Sequence, residues 1–201
     1  EILIGLVGSE MCIRDRLCGQ LEGHPYRDVF STVYSDDEEG GHFAALAMKE
    51  RGRKDIVAVL GPQDNPAVVD RLRGYRAVLG EDLPDANVIY TGWNNGDGYQ
   101  AMHQILAREI AFDGVLCGSD RIAAGVITAL NEAGLSVPAD VSVVGFDDHE
   151  IAARCVPALT TVRQPLREEG HMAANIALDM IKGAEPTTSV MHMQLIQRDS
   201  L

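Results

Sequence analysis

The sequence predicts an α/β protein built on an open, doubly wound parallel sheet. Two observations lead to this prediction. From Asp55 onward, short β-branched runs alternate with segments whose apolar residues recur at helical spacing. Gly, Pro and Asn residues separate these segments at intervals that suit strand–helix–strand units with right-handed crossovers. Sheets of this kind bind ligands outside the carboxyl ends of their strands.

The first predicted elements run from a helix to the second strand. Residues 38–51 form a predicted helix that ends at Gly52, a residue suited to the position after a helix. The sequence "DIVAVLG" at 55–61 is a β-branched run closed by Gly-Pro, which is typical of a buried strand. Residues 66–80 carry four apolar side chains at helical spacing, and "NVIYTG" at 87–92 is the next strand.

The middle of the chain continues the alternation. The apolar residues between Tyr99 and Leu106 predict a helix, and "GVLCGS" at 114–119 predicts a strand. A helix follows over 120–133, with Asp120 as a candidate N-cap. The last predicted elements are a strand at 141–146, a strand at 160–163, a helix at 166–182 and a strand at 189–197.

Composition excludes several classes of function. The chain has 201 residues and a net charge of −13, so its surface repels phosphate backbones and should not bind nucleic acid by itself. No apolar run approaches the length of a membrane span. The four cysteines, Cys12, Cys18, Cys117 and Cys155, form no CxxC pair, which favours reduced thiols and a cytoplasmic protein. No cofactor and no metal are expected.

Polar and aromatic side chains follow three of the predicted strands. These side chains are Trp93 and Asn94, Ser119 and Asp120, and Asp147, Asp148 and His149. Because the carboxyl ends of parallel strands share one edge of a sheet, we expect these side chains to converge. An aromatic ring can stack on a sugar, and carboxylates accept strong hydrogen bonds from hydroxyls. The edge therefore suits a polar ligand, with a sugar as an attractive candidate.

The segment "GFDDHE" allows four interpretations, which are an acid–base pair, a metal site, a ligand contact and a solvated turn. Neighbouring side chains in an extended segment point apart, which argues against acid–base catalysis. No further His or Cys is spaced to complete a metal site. We therefore predict that Asp147 contacts a ligand, that Asp148 caps or orients the next segment, and that no residue is catalytic.

From Asp36 to Ser200 the chain closely resembles the effector-binding core of the LacI/GalR family of transcription regulators. The resemblance rests on four segments in a specific order, which are "DDEEGGHFAALAMKERGRKDIVAVLGP", "DRLRGYRAVL", "DGVLCGSDRIAAGVITALNEAGLSVP" and "VPADVSVVGFDDHEIAARCVPALTTVRQP". The closing "LIQRDSL" matches the end of the family pattern.

This resemblance implies a two-lobed fold like that of type I periplasmic binding proteins, with the first lobe incomplete here. It implies a small effector between the lobes, expected to be a carbohydrate, and a homodimer without enzymatic activity. Operator DNA would be bound only through a separate N-terminal helix-turn-helix headpiece, which this chain does not contain.

The matching effector positions are Asp36, Arg71, Trp93, Ser119 and Asp147. The resemblance makes Trp93 the stacking aromatic and Arg71 a forked donor able to bind two oxygens at once. Ser119 stands where the family usually has Asn, so one amide donor is lost and the identity of the ligand is left open.

The resemblance also predicts a division of the chain. Residues 21–53 and 150–185 would be a remnant of the N-terminal lobe, and residues 54–149 and 186–201 the C-terminal lobe. Residues 1–20 are expected to be a non-native leader, because "EMCIRDR" resembles a translated transposon end used in sequencing libraries.

Two other classes remain open. A periplasmic sugar-binding protein of an ABC transporter shares the two-lobed fold, and upstream DNA would separate the two classes by a signal peptide or a helix-turn-helix. The segments "GFDD" and "LIQRDS" favour the regulator. An enzyme on this fold would need a nucleophile–base pair, which the sequence does not suggest.

Overall fold

The computed structural model describes residues 31–108 and 110–201, and these form an α/β protein with parallel sheets, as predicted. The described residues divide into two units. The larger unit comprises residues 37–164 and 193–201, and the smaller comprises residues 31–36 and 165–192. The chain passes between the units after Asp36, after Gln164 and after His192.

The strands alternate with helices over most of the chain. The strands are β1 (Thr32–Ser35), β2 (Ile56–Leu60), β3 (Val88–Tyr90), β4 (Gly114–Cys117), β5 (Ser142–Asp147), β6 (Thr160–Arg163), β7 (Thr188–Met191) and β8 (Gln194–Ile196). The helices are α1 (Asp37–Glu50), α2 (Pro66–Leu79), α3 (Asn95–Leu106), α4 (Asp120–Glu132), α5 (Glu150–Arg154) and α6 (Leu166–Ile181). Short 3-10 turns occupy Gly80–Asp82 and Asp85–Asn87.

The larger unit is built on a six-stranded sheet in the order β3-β2-β4-β5-β6-β8. Neighbouring strands are parallel except β8, which runs antiparallel to β6 at the edge. Alternate residues of each strand face opposite sides, so Ile56 and Leu60 pack with α1 and α2 while Val57 and Val59 pack with α3 and α4. Both faces of the sheet are therefore covered, which explains the continuous apolar runs in the sequence.

Helices α1 and α2 pack against one another at very short range. A Cβ atom on Gly74 would lie 2.1 Å from the carbonyl oxygen of Glu38, and one on Gly41 would lie 2.3 Å from that of Arg71. Only glycine permits this approach of the two backbones. The contact brings the first turn of α1 beside the side chain of Arg71.

The smaller unit contains β1, β7 and α6. Strand β1 pairs in parallel with β7, from Thr32 opposite Thr188 to Ser35 opposite Met191. The hydroxyl of Ser35 donates a hydrogen bond to Glu169, a buried residue of α6. This bond joins the strand to the helix within the unit.

The structure differs from several sequence predictions. The predicted strand 189–197 is two strands in different sheets, because β7 pairs with β1 and β8 pairs with β6. The bounds of the two compact units do not coincide with those predicted for the two lobes, and the division into lobes stays a prediction. Helix α1 belongs to the larger unit because it packs on α2, and so do residues 150–164, whereas residues 186–192 belong to the smaller unit. Ser119, not Asp120, is the N-cap of α4.

Two short elements, β1 and α5, were not predicted from the sequence. The predicted leader at 1–20, with Cys12 and Cys18, lies outside the residues that the structure describes. Within the described part of the chain, no helix has the length and hydropathy needed to cross a membrane.

Candidate functional site

The candidate site lies at the carboxyl ends of β2, β4 and β5, which are adjacent in the sheet. Gly61 follows β2, Gly118 and Ser119 follow β4, and Asp148 follows β5. Gly118 lies against the backbone of Gly61. The predicted edge of the sheet therefore exists in the larger unit.

Arg71 is a buried cation at this edge with several polar partners. Its side chain, which comes from α2, is only 5% exposed, and its Nε donates to Asp37 Oδ1 at 2.7 Å. Its Nη1 donates to the carbonyl oxygen of Gly118 and lies 3.6 Å from Asp147 Oδ1. The guanidinium carbon lies 3.7 Å from the centre of the Phe146 ring, in a cation–π contact.

The charge of Arg71 is stabilised by its carboxylate neighbours. Burial alone would lower the pKa of Arg71, but the nearby charges of Asp37 and Asp147 raise it above its usual value. Arg71 is therefore a permanent cation that links α1, the end of β4 and the end of β5.

Asp147 is the last residue of β5 and presents a partly accessible carboxylate. Its side chain is 34% exposed, and its Oδ1 accepts a hydrogen bond from Gln164 Nε2 at 2.7 Å. Burial raises the pKa of Asp147, and the charge of Arg71 offsets part of that rise. Asp147 can thus accept further hydrogen bonds from a ligand at this edge.

Trp93 follows β3 and is half-buried. Its indole lies against Gly61 at the end of β2, where an added Cβ would lie 2.4 Å from the indole Cζ2. The ring also packs against the apolar clusters on both faces of the sheet. The structure therefore places the ring at the predicted edge, with part of its surface open to solvent.

Ser119 caps helix α4 at the end of β4. Its side chain is buried, and its Oγ accepts a hydrogen bond from the backbone N–H of Ile122 at 3.3 Å. A hydroxyl has one proton to donate and a second lone pair, so this cap leaves Ser119 able to form a further bond.

Asp120, which was predicted at this edge but not among the five effector positions, is a fully buried carboxylate. Its Oδ1 accepts from Thr161 Oγ1 at 2.5 Å, and its Oδ2 accepts from the backbone N–H of His149 at 2.7 Å. A Cβ on Gly145 would lie 2.3 Å from the same Oδ1. Burial raises the pKa of Asp120 to about 7, although these hydrogen bonds oppose the shift. The sequence shows an acid directly after a buried strand, but it does not show that the side chain of this acid points inward.

Asp148 faces two arginines. Its Oδ2 accepts from Arg163 Nε and its Oδ1 accepts from Arg198 Nη2, both at 2.6 Å. Burial opposes the charge of this carboxylate, but the two arginines dominate and lower the pKa of Asp148. These contacts agree with an orienting role.

His149 is an exposed cap. Its Nδ1 accepts from the backbone N–H of Ile151 at 3.3 Å, at the start of α5. Among the described residues, no group of His, Cys, Asp and Glu side chains is arranged to hold a metal ion.

Asp36 belongs to the smaller unit, whereas the other four predicted ligand residues belong to the larger one. It is half-buried and follows β1, and its backbone N–H donates to the carbonyl oxygen of Met191 at 3.0 Å. The structure thus brings Arg71 into contact with Asp147 and places Trp93 and Ser119 at the same edge. The ligand role of all five residues stays a prediction.

A cleft of about 520 Å³ lies among the segments that follow β3, β4 and β5, but none of the five predicted effector residues lines it. It is lined by Asn94, Asn95, Gly96, Arg121, His149, Glu150, Ile151 and Arg154. Arg154, one of its cations, is paired with Glu150 at 2.9 Å.

Comparison with known proteins identifies the class to which this fold and edge belong. The model of the periplasmic binding protein-like domain family matches residues 45–201, so the chain belongs to that family. Transcription regulators, among them members of the LacI family, are similar to this chain over most of its length.

The relatives agree in sequence and in structure. The HTH-type transcriptional repressor PurR of Escherichia fergusonii is 36% identical over 184 residues, which are 89% of this chain and 54% of the repressor. A structure of the transcriptional regulator CelR in complex with cellobiose is 34% identical, with a TM-score of 0.83 over 89% of this chain and 56% of the regulator.

A LacI family transcriptional regulator from Enterococcus faecalis, solved with bound ribose, is 30% identical. Its TM-score is 0.79 over 85% of this chain and 62% of that regulator. The chain thus spans about half the length of the curated relatives that it matches.

Proposed function

We propose that this chain is the effector-binding core of a LacI-type DNA-binding transcription regulator that senses a small, neutral, hydroxyl-rich ligand. The observation that carries the proposal is the carboxylate of Asp147, which stands partly exposed at the end of β5. Arg71 lies beside it, and the ring of Trp93 is at the same edge.

The charges at this edge favour a neutral ligand over an anion. The single cation of Arg71 is shared by two carboxylates, those of Asp37 and Asp147, so this group of three carries net negative charge when all are ionised. A phosphate or carboxylate ligand would meet repulsion there, whereas a hydroxyl can donate to Asp147. Among the comparison structures, CelR was solved with cellobiose and the E. faecalis regulator with ribose, whereas a LacI family regulator from Escherichia coli was solved with phosphate, so the preference rests on the charges at the edge.

The proposed mechanism is a shift of population. An effector that binds one arrangement of the core more tightly than another changes the fraction of molecules in each, and equal affinity would change nothing. The relatives are transcriptional regulators, not enzymes or transporter components, which supports regulation over the alternative of a periplasmic sugar-binding protein. We place this action in the cytoplasm, in a homodimer that contacts operator DNA through a headpiece.

The proposal can be tested by thermal shift with D-ribose, cellobiose and ribose 5-phosphate. Ligands that bind the native state raise its melting temperature by mass action. We expect at least one neutral sugar to stabilise the chain more than the phosphorylated one. The isosteric variant Asp147→Asn should abolish that stabilisation, while Asp64→Asn, an exposed acid before α2, should leave it unchanged. Equal stabilisation of wild type and Asp147→Asn would contradict the proposal.

A further inference from the structure

Strand β5 ends in two residues with an unusual backbone. Asp147 has φ = 106° and Asp148 has φ = 54°, and they are the only non-glycine residues with positive φ in the described part of the chain. L-residues rarely adopt such angles, and they do so where the surrounding structure leaves them no alternative. Something therefore has to fix this turn, and the contacts of Asp148 show what it is.

The carboxylate of Asp148 is gripped from two sides. Arg163, at the end of the neighbouring strand β6, and Arg198, after β8, each bind one of its oxygens at 2.6 Å. Arg198 is itself fixed, since its Nη1 donates to the carbonyl oxygen of Leu159 and its backbone N–H to Thr160 Oγ1, both at 2.8 Å. The side chain of Asp148 is only 10% exposed and that of Arg198 21%, so water competes little for their bond, whereas Arg163 is about half exposed.

The backbone on either side of this carboxylate is anchored as well. The N–H of Asp148 donates to Thr161 Oγ1 at 3.4 Å, and the N–H of His149 donates to the buried Asp120 at 2.7 Å. Thr161 in turn donates to Asp120. The residues that follow Asp147 are thus attached to β6, to the start of α4 and to the segment after β8.

We infer that Asp148 is a positioning residue, which through Arg163 and Arg198 fixes the backbone of Asp147 so that its carboxylate faces Arg71 and stays open to the effector. In a strand, the backbone torsions of a residue decide on which side its side chain lies, and successive side chains point to opposite faces. Without the two ion pairs of Asp148, Asp147 would return to an ordinary negative φ, and its carboxylate would move away from Arg71. The functional part of this inference rests on the proposed function.

The first test needs no ligand. In the whole 201-residue chain, Asp148→Asn keeps the size of the side chain and a residue type that tolerates positive φ, but removes both ion pairs. We expect hydrogen exchange of the Asp148 and His149 amides to become about tenfold or more faster, with the amide of Val144 in mid-strand unchanged. Arg198→Gln, which removes one of the two arginine partners of Asp148, should have the same effect. Unchanged exchange at both amides in both variants would overturn the inference.

The second test measures ligand affinity by calorimetry, with D-ribose and cellobiose as probes. We expect Asp148→Asn to lower, by about tenfold, the affinity for the sugar that binds wild type. The control is Ser142→Ala at the start of β5, the strand that ends at Asp147, and it removes a buried hydroxyl that accepts a hydrogen bond from Arg53. It should lower the melting temperature while leaving both affinity and exchange at His149 unchanged, which separates positioning from general stability.

The two tests separate failure of the inference from failure of the proposed function. Faster exchange with unchanged affinity would overturn the positioning of Asp147 for a ligand. If neither sugar binds wild type, the proposed sugar ligand fails, and the exchange measurement still decides whether Asp148 fixes the turn.

Discussion

At the residue scale, three aspartates at the same end of the sheet have three different surroundings. Asp120 is fully buried and forms no ion pair with any residue that the structure describes. Asp147 is partly open beside Arg71, and Asp148 lies between two arginines. The pKa is accordingly raised to about 7 for Asp120, raised for Asp147 and lowered for Asp148. The same side chain thus serves as a buried acceptor, an accessible carboxylate and a fixed ion-pair partner.

Asp120 should make stability depend on pH. Its pKa is 3.8 in an ordinary setting and about 7 in the folded chain, so between these values the native state retains a proton that the unfolded state releases. The contribution of Asp120 to the free energy of unfolding therefore falls as pH rises from about 4 to about 7, and it is lowest above pH 7. Urea denaturation of wild type and Asp120→Asn at several pH values checks this.

In that experiment the variant has no group to titrate at position 120. The difference in stability, wild type minus variant, should decrease as pH rises through the window and then level off. A difference that stays constant from pH 4 to pH 8 would contradict the prediction, whatever contribution the neighbouring carboxylates make to both proteins.

Trp93→Ala should weaken sugar binding strongly, by about tenfold or more, because the variant loses the ring face on which a sugar can stack. Calorimetry with the sugar that binds wild type measures the loss. Val69→Ala, which trims an exposed apolar side chain on α2, serves as the control and should bind as wild type does. Unchanged affinity in Trp93→Ala would refute the assigned pocket.

At the scale of elements, packing decides what the sequence pattern leaves open. Strands β2, β4 and β5 were predictable because each is buried on both faces and so reads as an unbroken apolar run. The run 189–197 has the composition of a strand throughout, and nothing in it reveals that its two halves pair with different partners. In the same way, the sequence indicated an acid after β4 but not that Asp120 turns inward under Gly145.

The close contact of α1 and α2 predicts that a larger residue at Gly74 lowers the stability of the fold. Gly74→Ala would place a methyl group 2.1 Å from the carbonyl oxygen of Glu38, so the helices must separate. We expect a loss of about 1–3 kcal/mol in the free energy of unfolding, as for other overpacked sites. Gly96→Ala in α3 has open space around its new methyl and should be neutral or stabilising, by up to about 1 kcal/mol. Equal effects of the two substitutions in urea denaturation would contradict this account.

At the scale of the whole molecule, the net charge of −13 disfavours binding of nucleic acid by this chain alone. The sequence predicted the family, the α/β class and the polar edge of the sheet, because these depend on runs and motifs that are continuous in the chain. The division into units depends on which helix packs where, and it could not be predicted from the order of elements alone.

The chain should show no detectable binding to duplex DNA at about 100 mM salt, because a surface this acidic repels phosphates. Electrophoretic mobility shift measures this, with a basic DNA-binding protein as the positive control. Retention of DNA that weakens steeply with salt would reveal a cationic surface and contradict the prediction.

The pairing of β1 with β7 and of β6 with β8 has a consequence for synthesis of the chain. Thr32 lies opposite Thr188, and Val162 lies opposite Leu195, so each sheet receives its last strand from the final stretch of the chain. Ser200 then bonds both Val143 and Thr160. Neither unit can complete its sheet until residues 188–196 have left the ribosome, because β7 and β8 come from that stretch.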